Sequence, residues 1–143
     1  MKTEPFVPYT QTHTLVFKRC RKLDKLLSQL GEEAIKIMWV SALQKSGFEI
    51  PRDAKGDLRV QCHPFGDNFG YTATAILTSS DAAMHTYPEK EYHRTVQVKL
   101  NLCYLWPAAE ESHNEHVERA LHVFRKLTGC RESTCHSSHP EYL

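Results

Sequence analysis

The sequence predicts an α/β two-layer sandwich, a mainly antiparallel sheet with two helices packed on one face. Three observations carry this. The run "TVQVKLNLCYLW" alternates strictly, with Val96, Val98, Leu100 and Leu102 on one face and Gln97, Lys99, Asn101 and Cys103 on the other. Two longer segments instead repeat apolar residues at helical spacing, and several short strand-like runs are set apart by turn signals. At 143 residues and 41% hydrophobic composition, the chain suffices for one core and is too short for two ordinary domains. Two helices laid over one face of the sheet is then the economical packing.

In chain order, "HTLVFKRC" (13–20) reads as a first strand. Leu23 to about Lys45 reads as a helix presenting Leu26, Leu27, Leu30, Ile35, Met38, Trp39 and Leu43, with Gly31 as an interruption. "GFEIPRDAKGD" is a loop, "LRVQCHPF" a second strand, "GDNFG" a turn, and "YTATAILTSS" a third strand whose small residues allow close approach. The alternating run ending before Pro107 is the fourth strand. "AEESHNEHVERALHVFRKLTG" follows as an amphipathic helix presenting Val117, Leu121, Phe124 and Leu127 and closed by Gly129. Residues 1–129 thus form one domain, and 130–143, lacking periodicity, form an irregular tail.

Composition narrows the function. Formal net charge is +1, and apart from "FKRCRKLDK" the basic residues do not gather, so nucleic acid is not the expected partner. The N-terminal "MKTEPFVPYT" has no apolar h-region, and no segment approaches eighteen apolar residues, so neither secretion nor a membrane is expected. Five cysteines scattered through patterned elements suit reduced thiols in a cytoplasm. The tail offers a separate class of function: Cys130, Cys135, His136 and His139 are a mixed thiolate and imidazole set for zinc, in a metal-binding interaction module.

The stretch "FGYTATAILTSSDAAMHTYPE" resembles the core of the bacterial-type S-adenosylmethionine decarboxylase proenzymes. In that family a self-processing serine lies five residues before the histidine of an HT(W/Y)PE motif, the spacing of Ser80 and His85. The likeness extends to "THTLVF" as first strand, to "HPFGDNFG" as an aromatic loop one residue longer, and to the helix after Pro107. The resemblance implies a two-layer sandwich, a cytoplasmic homodimer, and decarboxylation of S-adenosylmethionine for polyamine synthesis.

It also implies a chemistry. The serine hydroxyl attacks the preceding carbonyl in a strained turn, and histidine-assisted β-elimination cuts the chain. Residues 80–143 then begin with a pyruvoyl group, a cofactor made from Ser80, whose ketone condenses with the substrate amine and accepts the electrons released with carbon dioxide. By the same resemblance, Thr72 stands for a serine that assists processing, Phe65 and Tyr87 for aromatics against adenine, and Glu89 for the carboxylate that receives the ribose hydroxyls. Ser79 stands where the family usually has Glu, and Asp81 where it has His or Ser, so a shift at Ser79 on the Thr78 carbonyl stays open; Asp81 either orients His85 or repels the developing oxyanion. The catalytic acid is Cys103 if the loop "KEYHRT" holds three extra residues, and direct alignment puts Leu100 there instead. Two further readings remain: an unprocessed homologue that binds or otherwise degrades S-adenosylmethionine, and a relative that decarboxylates a free amino acid.

Overall fold

The computed structural model describes residues 7–23, 25, 31–65, 70–106 and 110–143. Leu26, Leu27, Leu30 and Pro107 lie outside them. The described elements are β1 (Val7–Lys18), α1 (Glu32–Lys45), β2 (Val60–Phe65), β3 (Gly70–Ile76), β4 (Asp81–Tyr87), a 3-10 turn (Lys90–Tyr92), β5 (Thr95–Trp106), α2 (Glu110–Thr128), β6 (Glu132–Ser137) and β7 (Glu141–Tyr142). The strands form one sheet in the order β2-β3-β4-β5-β1-β6, with β7 also on β1, and every pairing is antiparallel.

Both helices lie on the face that carries Leu15, Phe17, Ala73, Met84, Val98 and Leu100. Helix α1 buries Ile35, Trp39, Ala42 and Leu43, a stripe at positions i, i+4, i+7 and i+8. Helix α2 buries His113, Val117, Ala120, Phe124 and Thr128, while the predicted Leu121 and Leu127 sit only partly covered at its margin. Phe124 joins the layers, its ring centroid 5.9 Å from both Phe17 and Trp39. Gly129 ends α2 with φ +63°, its N–H donating to the Arg125 carbonyl at 3.0 Å, the left-handed closure that glycine adopts without a Cβ penalty.

Two departures from the sequence expectation matter. Residues 81–87, unassigned to any strand from sequence, form the central strand β4. Ala82, Met84 and Thr86 are its buried side, and two alanines weaken the β signal that a branched residue would give. The tail is not irregular: residues 132–137 and 141–142 pair along β1, where backbone hydrogen bonds replace the missing apolar periodicity.

Where β1 meets the start of α2, a polar chain runs through the core. His13 and His113 face each other with Nε2 atoms 2.6 Å apart. His13 Nδ1 lies 2.7 Å from Ser137 Oγ, and His113 Nδ1 2.8 Å from the Tyr9 hydroxyl. Burial, then the neighbouring His13 and His116, push the His113 imidazole down to about 4.

Candidate active site

The face of the sheet away from the helices carries one group of the predicted site residues, because alternation along β4 sends Asp81, Ala83, His85 and Tyr87 there. Thr72 and His85 are register partners on β3 and β4, and the Thr72 hydroxyl lies 3.0 Å from His85 Nδ1. Burial, then the positive charge of Lys99, hold the His85 imidazole below its ordinary value and favour the neutral, proton-accepting form at neutral pH.

Beside this pair, the rings of Phe65 and Tyr87 meet edge to face with centroids 5.8 Å apart, and Tyr92 meets Tyr87 at 6.1 Å. Gly70 makes room for this: a Cβ there would come within 3.0 Å of the Phe65 ring and 3.1 Å of the Thr86 carbonyl. Glu89 follows at the end of the HTYPE motif, where its carbonyl accepts from the Tyr92 and Arg94 N–H groups. Its side-chain Oε2 is buried and has no hydrogen-bond partner among the described residues. A carboxylate oxygen shielded from water without a donor is costly, so this atom calls for a ligand that brings one.

The predicted processing residues form a second group. Thr78 and Ser79 are the two-residue turn between β3 and β4, closed by Leu77 N–H to Ser80 O at 2.8 Å and Ser80 N–H to Leu77 O at 3.3 Å. Both serines hold the backbone of one residue of β5: the Ser80 hydroxyl accepts from Cys103 N–H at 2.9 Å, and the Ser79 hydroxyl donates to the Cys103 carbonyl at 3.1 Å. The turn contains no residue with positive φ, so left-handed backbone is not a source of strain at the expected cut. Cys103 shares the open face with Gln97, Lys99 and Asn101, whereas Leu100 is fully buried in the core and too far inside to meet a substrate. Cys103, the candidate under the alignment with the inserted loop, is part-exposed on that face.

Not all predicted residues meet. Ser80 and His85 stand at opposite ends of β4, with Cα atoms about 16 Å apart for five extended residues. Asp81 does not orient His85, which is four residues along the same strand; instead it accepts from Asn101 Nδ2 at 3.3 Å, and Asn101 Oδ1 accepts from Thr12 at 3.1 Å. The zinc set does not converge either. Cys135 and His136 are neighbours in β6 and point to opposite faces, and no group of three metal-ligating side chains occurs among the described residues.

Sequence reasoning overlooked Tyr104 and His116, which with Ser79 and Ser80 border a cavity of about 190 Å³. The Tyr104 hydroxyl lies 2.6 Å from His116 Nδ1. His116 belongs to a helix face that looks merely amphipathic, and only the docking of α2 against β5 brings it to the serine turn.

Among solved structures, the chain resembles the adenosylmethionine decarboxylase from Aquifex aeolicus with a TM-score of 0.59, 94% of this chain and 91% of that one being covered. The fold is adenosylmethionine decarboxylase-like. Identity over the match is 16%, so what is shared is the adenosylmethionine decarboxylase-like architecture, including its mostly antiparallel sheet and two helices. No family model matches the chain, and no curated protein matches it. Among the described residues, no helix is long and apolar enough to cross a membrane.

Proposed function

We propose that this chain is a self-processing S-adenosylmethionine decarboxylase working as a homodimer. One observation carries the reading: the unpartnered buried oxygen of Glu89 lies on the same strand-end as the Phe65–Tyr87 pair and the Thr72–His85 hydrogen bond. A nucleoside suits that arrangement. Its flat base stacks on an aromatic ring, its sulfonium gains from a ring face by about 0.5–2 kcal/mol, and its ribose hydroxyls donate to the carboxylate. A free amino acid would leave all three groups unused.

The separation of Ser80 from His85 supports the dimer. Two sheets stacked open face to open face about a two-fold axis, strands running opposite ways, bring the Thr72–His85 end of one protomer over the Ser80–Cys103 end of its partner. Each site then takes Ser80 and Cys103 from one chain and His85 with the clamp from the other. The processing step is an attack of Ser80 Oγ on the Ser79 carbonyl that breaks the Ser79–Ser80 peptide C–N bond and leaves an ester; removal of the Ser80 α-proton and rupture of its Cβ–O bond then release the Ser79 carboxylate, and water converts the dehydroalanine left at position 80 to a pyruvoyl group and ammonia. The neutral imidazole of His85 of the partner subunit is suited to receive that proton. The residues fit the prosthetic group that results: position 80 ends a tight turn, its hydroxyl accepts from the Cys103 N–H, and the part-exposed Cys103 thiol is suited to return a proton to the decarboxylated carbon. When formed, a pyruvoyl group supplies the electron sink for loss of carbon dioxide.

Glu89→Gln tests the clamp. It keeps the size and removes the charge that would strengthen two hydrogen bonds, each about 1.5–3 kcal/mol when shielded. Calorimetry is expected to show S-adenosylmethionine or methylthioadenosine bound at least about tenfold more weakly than by the wild type, about 1.4 kcal/mol. Equal binding, or none by the wild type, contradicts the assignment. Sedimentation at micromolar concentration is expected to show a dimer, and a strict monomer contradicts the shared site.

A further inference from the structure

The basic run "FKRCRKLDK" has no part in the site above, and the fold gives it neighbours of its own charge. Arg19 and Arg21 meet Lys90, His93 and Arg94 from the turn after β4, and Arg131 at the start of β6, around a shallow cavity of about 320 Å³. Five of the chain's 18 Lys and Arg residues converge there although its net charge is only +1. Cations gathered around one hollow repel one another and destabilise the fold unless an anion joins them.

The protein's own groups meet only part of that charge. The Arg19 guanidinium lies 3.6 Å from Glu132 in an exposed pair, and Arg21 Nε donates to the Gly129 carbonyl at 3.3 Å. Each contact engages one donor of a five-donor fork. Lys90, His93 and Arg131 make no side-chain hydrogen bond among the described residues.

The backbone gives a second, independent indication. Among the described residues, three non-glycine positions have positive φ: Arg19 at 55°, His93 at 59° and Arg94 at 48°. All three line this cavity. Such strain clusters where a ligand must be gripped. Here it is held by Arg19 N–H to His93 O at 2.8 Å and Cys20 N–H to Arg94 O at 3.2 Å, while Arg131 N–H binds Lys18 O at 3.1 Å. Three chain segments are thereby locked together with their cations directed at one place.

We propose that this cavity is a binding site for a small polyanion of the phosphate class, with room for two or three linked phosphates. Guanidinium forks match phosphate oxygens in pairs. Among the described residues no Phe, Tyr or Trp lines the cavity, and its one ring, the imidazole of His93, stands among five cations, so the phosphate chain is the part recognised. The cations also converge on one hollow rather than forming the stripe that a nucleic-acid backbone needs.

The test is calorimetry on the full chain with pyrophosphate at about physiological salt, where surface attraction is screened beyond about 8 Å. Saturable binding of one pyrophosphate per chain is expected. Lys90→Gln with Arg131→Gln is expected to weaken it at least about tenfold. Lys45→Gln with Arg119→Gln, which removes the same charge from the helical face, is expected to leave it within about twofold. Circular dichroism establishes that each variant is folded, and either single variant of the first pair, expected to weaken binding about threefold or more, replaces the double if that fails to fold. ATP binding about as tightly as pyrophosphate supports the phosphate chain as the recognised part. Absence of saturable pyrophosphate binding at millimolar concentration overturns the proposal, as does equal weakening in both double variants or citrate binding as tightly as pyrophosphate.

Discussion

Purified wild-type protein is expected to give two chains by denaturing mass spectrometry, dividing between Ser79 and Ser80, and Ser80→Ala is expected to give one. The effect is all or none, because alanine offers no oxygen to attack the Ser79 carbonyl. Stability should change little by comparison: the variant loses one acceptor for Cys103 N–H, about 1 kcal/mol for a hydrogen bond of this kind. The distance between Ser80 and His85 adds a sharper form of the test. With His85→Ala in one chain and Ser80→Ala in another, a mixed dimer keeps one site with both groups intact. The His85→Ala chain should then be cut when co-expressed with Ser80→Ala, and stay whole alone. If it stays whole in both cases, processing does not occur across the dimer. If the wild type itself is never cut, the pyruvoyl mechanism is wrong and the reading as an unprocessed S-adenosylmethionine-binding homologue takes its place.

A large loss of stability is expected on mild acidification. The His13–His113 pair is built for one proton between two facing Nε2 atoms. Protonating both imidazoles sets two N–H groups and two charges against each other in a site where His113 is 1% exposed. Burial, with His13 and His116 adding to it, lowers His113 from 6.5 to about 4, and burial also lowers His13. A depressed folded-state value means that the unfolded chain binds more protons between about 6.5 and 4. Stability is therefore full above 6.5 and falls as pH drops through that window, by at most about 1.4 kcal/mol per pH unit for each histidine. Among the described residues, the groups that meet the pair are Tyr9 on β1, Tyr104 on β5, Ser137 on β6 and His116 on α2, none of them a carboxylate that would offset the charge. Urea unfolding at pH 7 and pH 5 should show this loss, and His113→Gln should flatten it while costing stability at pH 7. An unchanged slope in His113→Gln would assign the acid sensitivity elsewhere.

What was legible in the sequence follows from where side-chain periodicity carries the structure. Strand β5 and helix α2 bury one regular face each, so their apolar spacing announced them. Strand β4 was hidden by its alanines, and β6 by lying at the sheet edge, where backbone pairing to β1 does the work and Ser133 to Ser137 need bury little. The open-face residues Thr72, His85, Phe65 and Tyr87 were found because the family resemblance joins them along three adjacent strands. The five-residue spacing of Ser80 and His85 carried the family resemblance, and extended backbone puts the two apart within one chain. Tyr104 and His116 come from separate elements that meet only through the packing of α2, so no local pattern pointed to them.

The strand order has a bearing on what a broken chain would do. Segments from before and after residue 79 alternate across the sheet: β2 and β3, then β4 and β5, then β1, then β6. The turn at 78–79 is thus a seam in the covalent chain and nowhere a seam in the fold. A nick there leaves two fragments interleaved at the β3–β4, β5–β1 and β1–β6 ladders, so neither can leave without dismantling the common core. Once both are melted, reassembly becomes a meeting of two molecules for each protomer, and the midpoint of thermal unfolding depends more steeply on protein concentration than it does for a dimer of uncut chains. For the same reason, residues 1–79 and 80–143 expressed as separate polypeptides are natural candidates for fragment complementation.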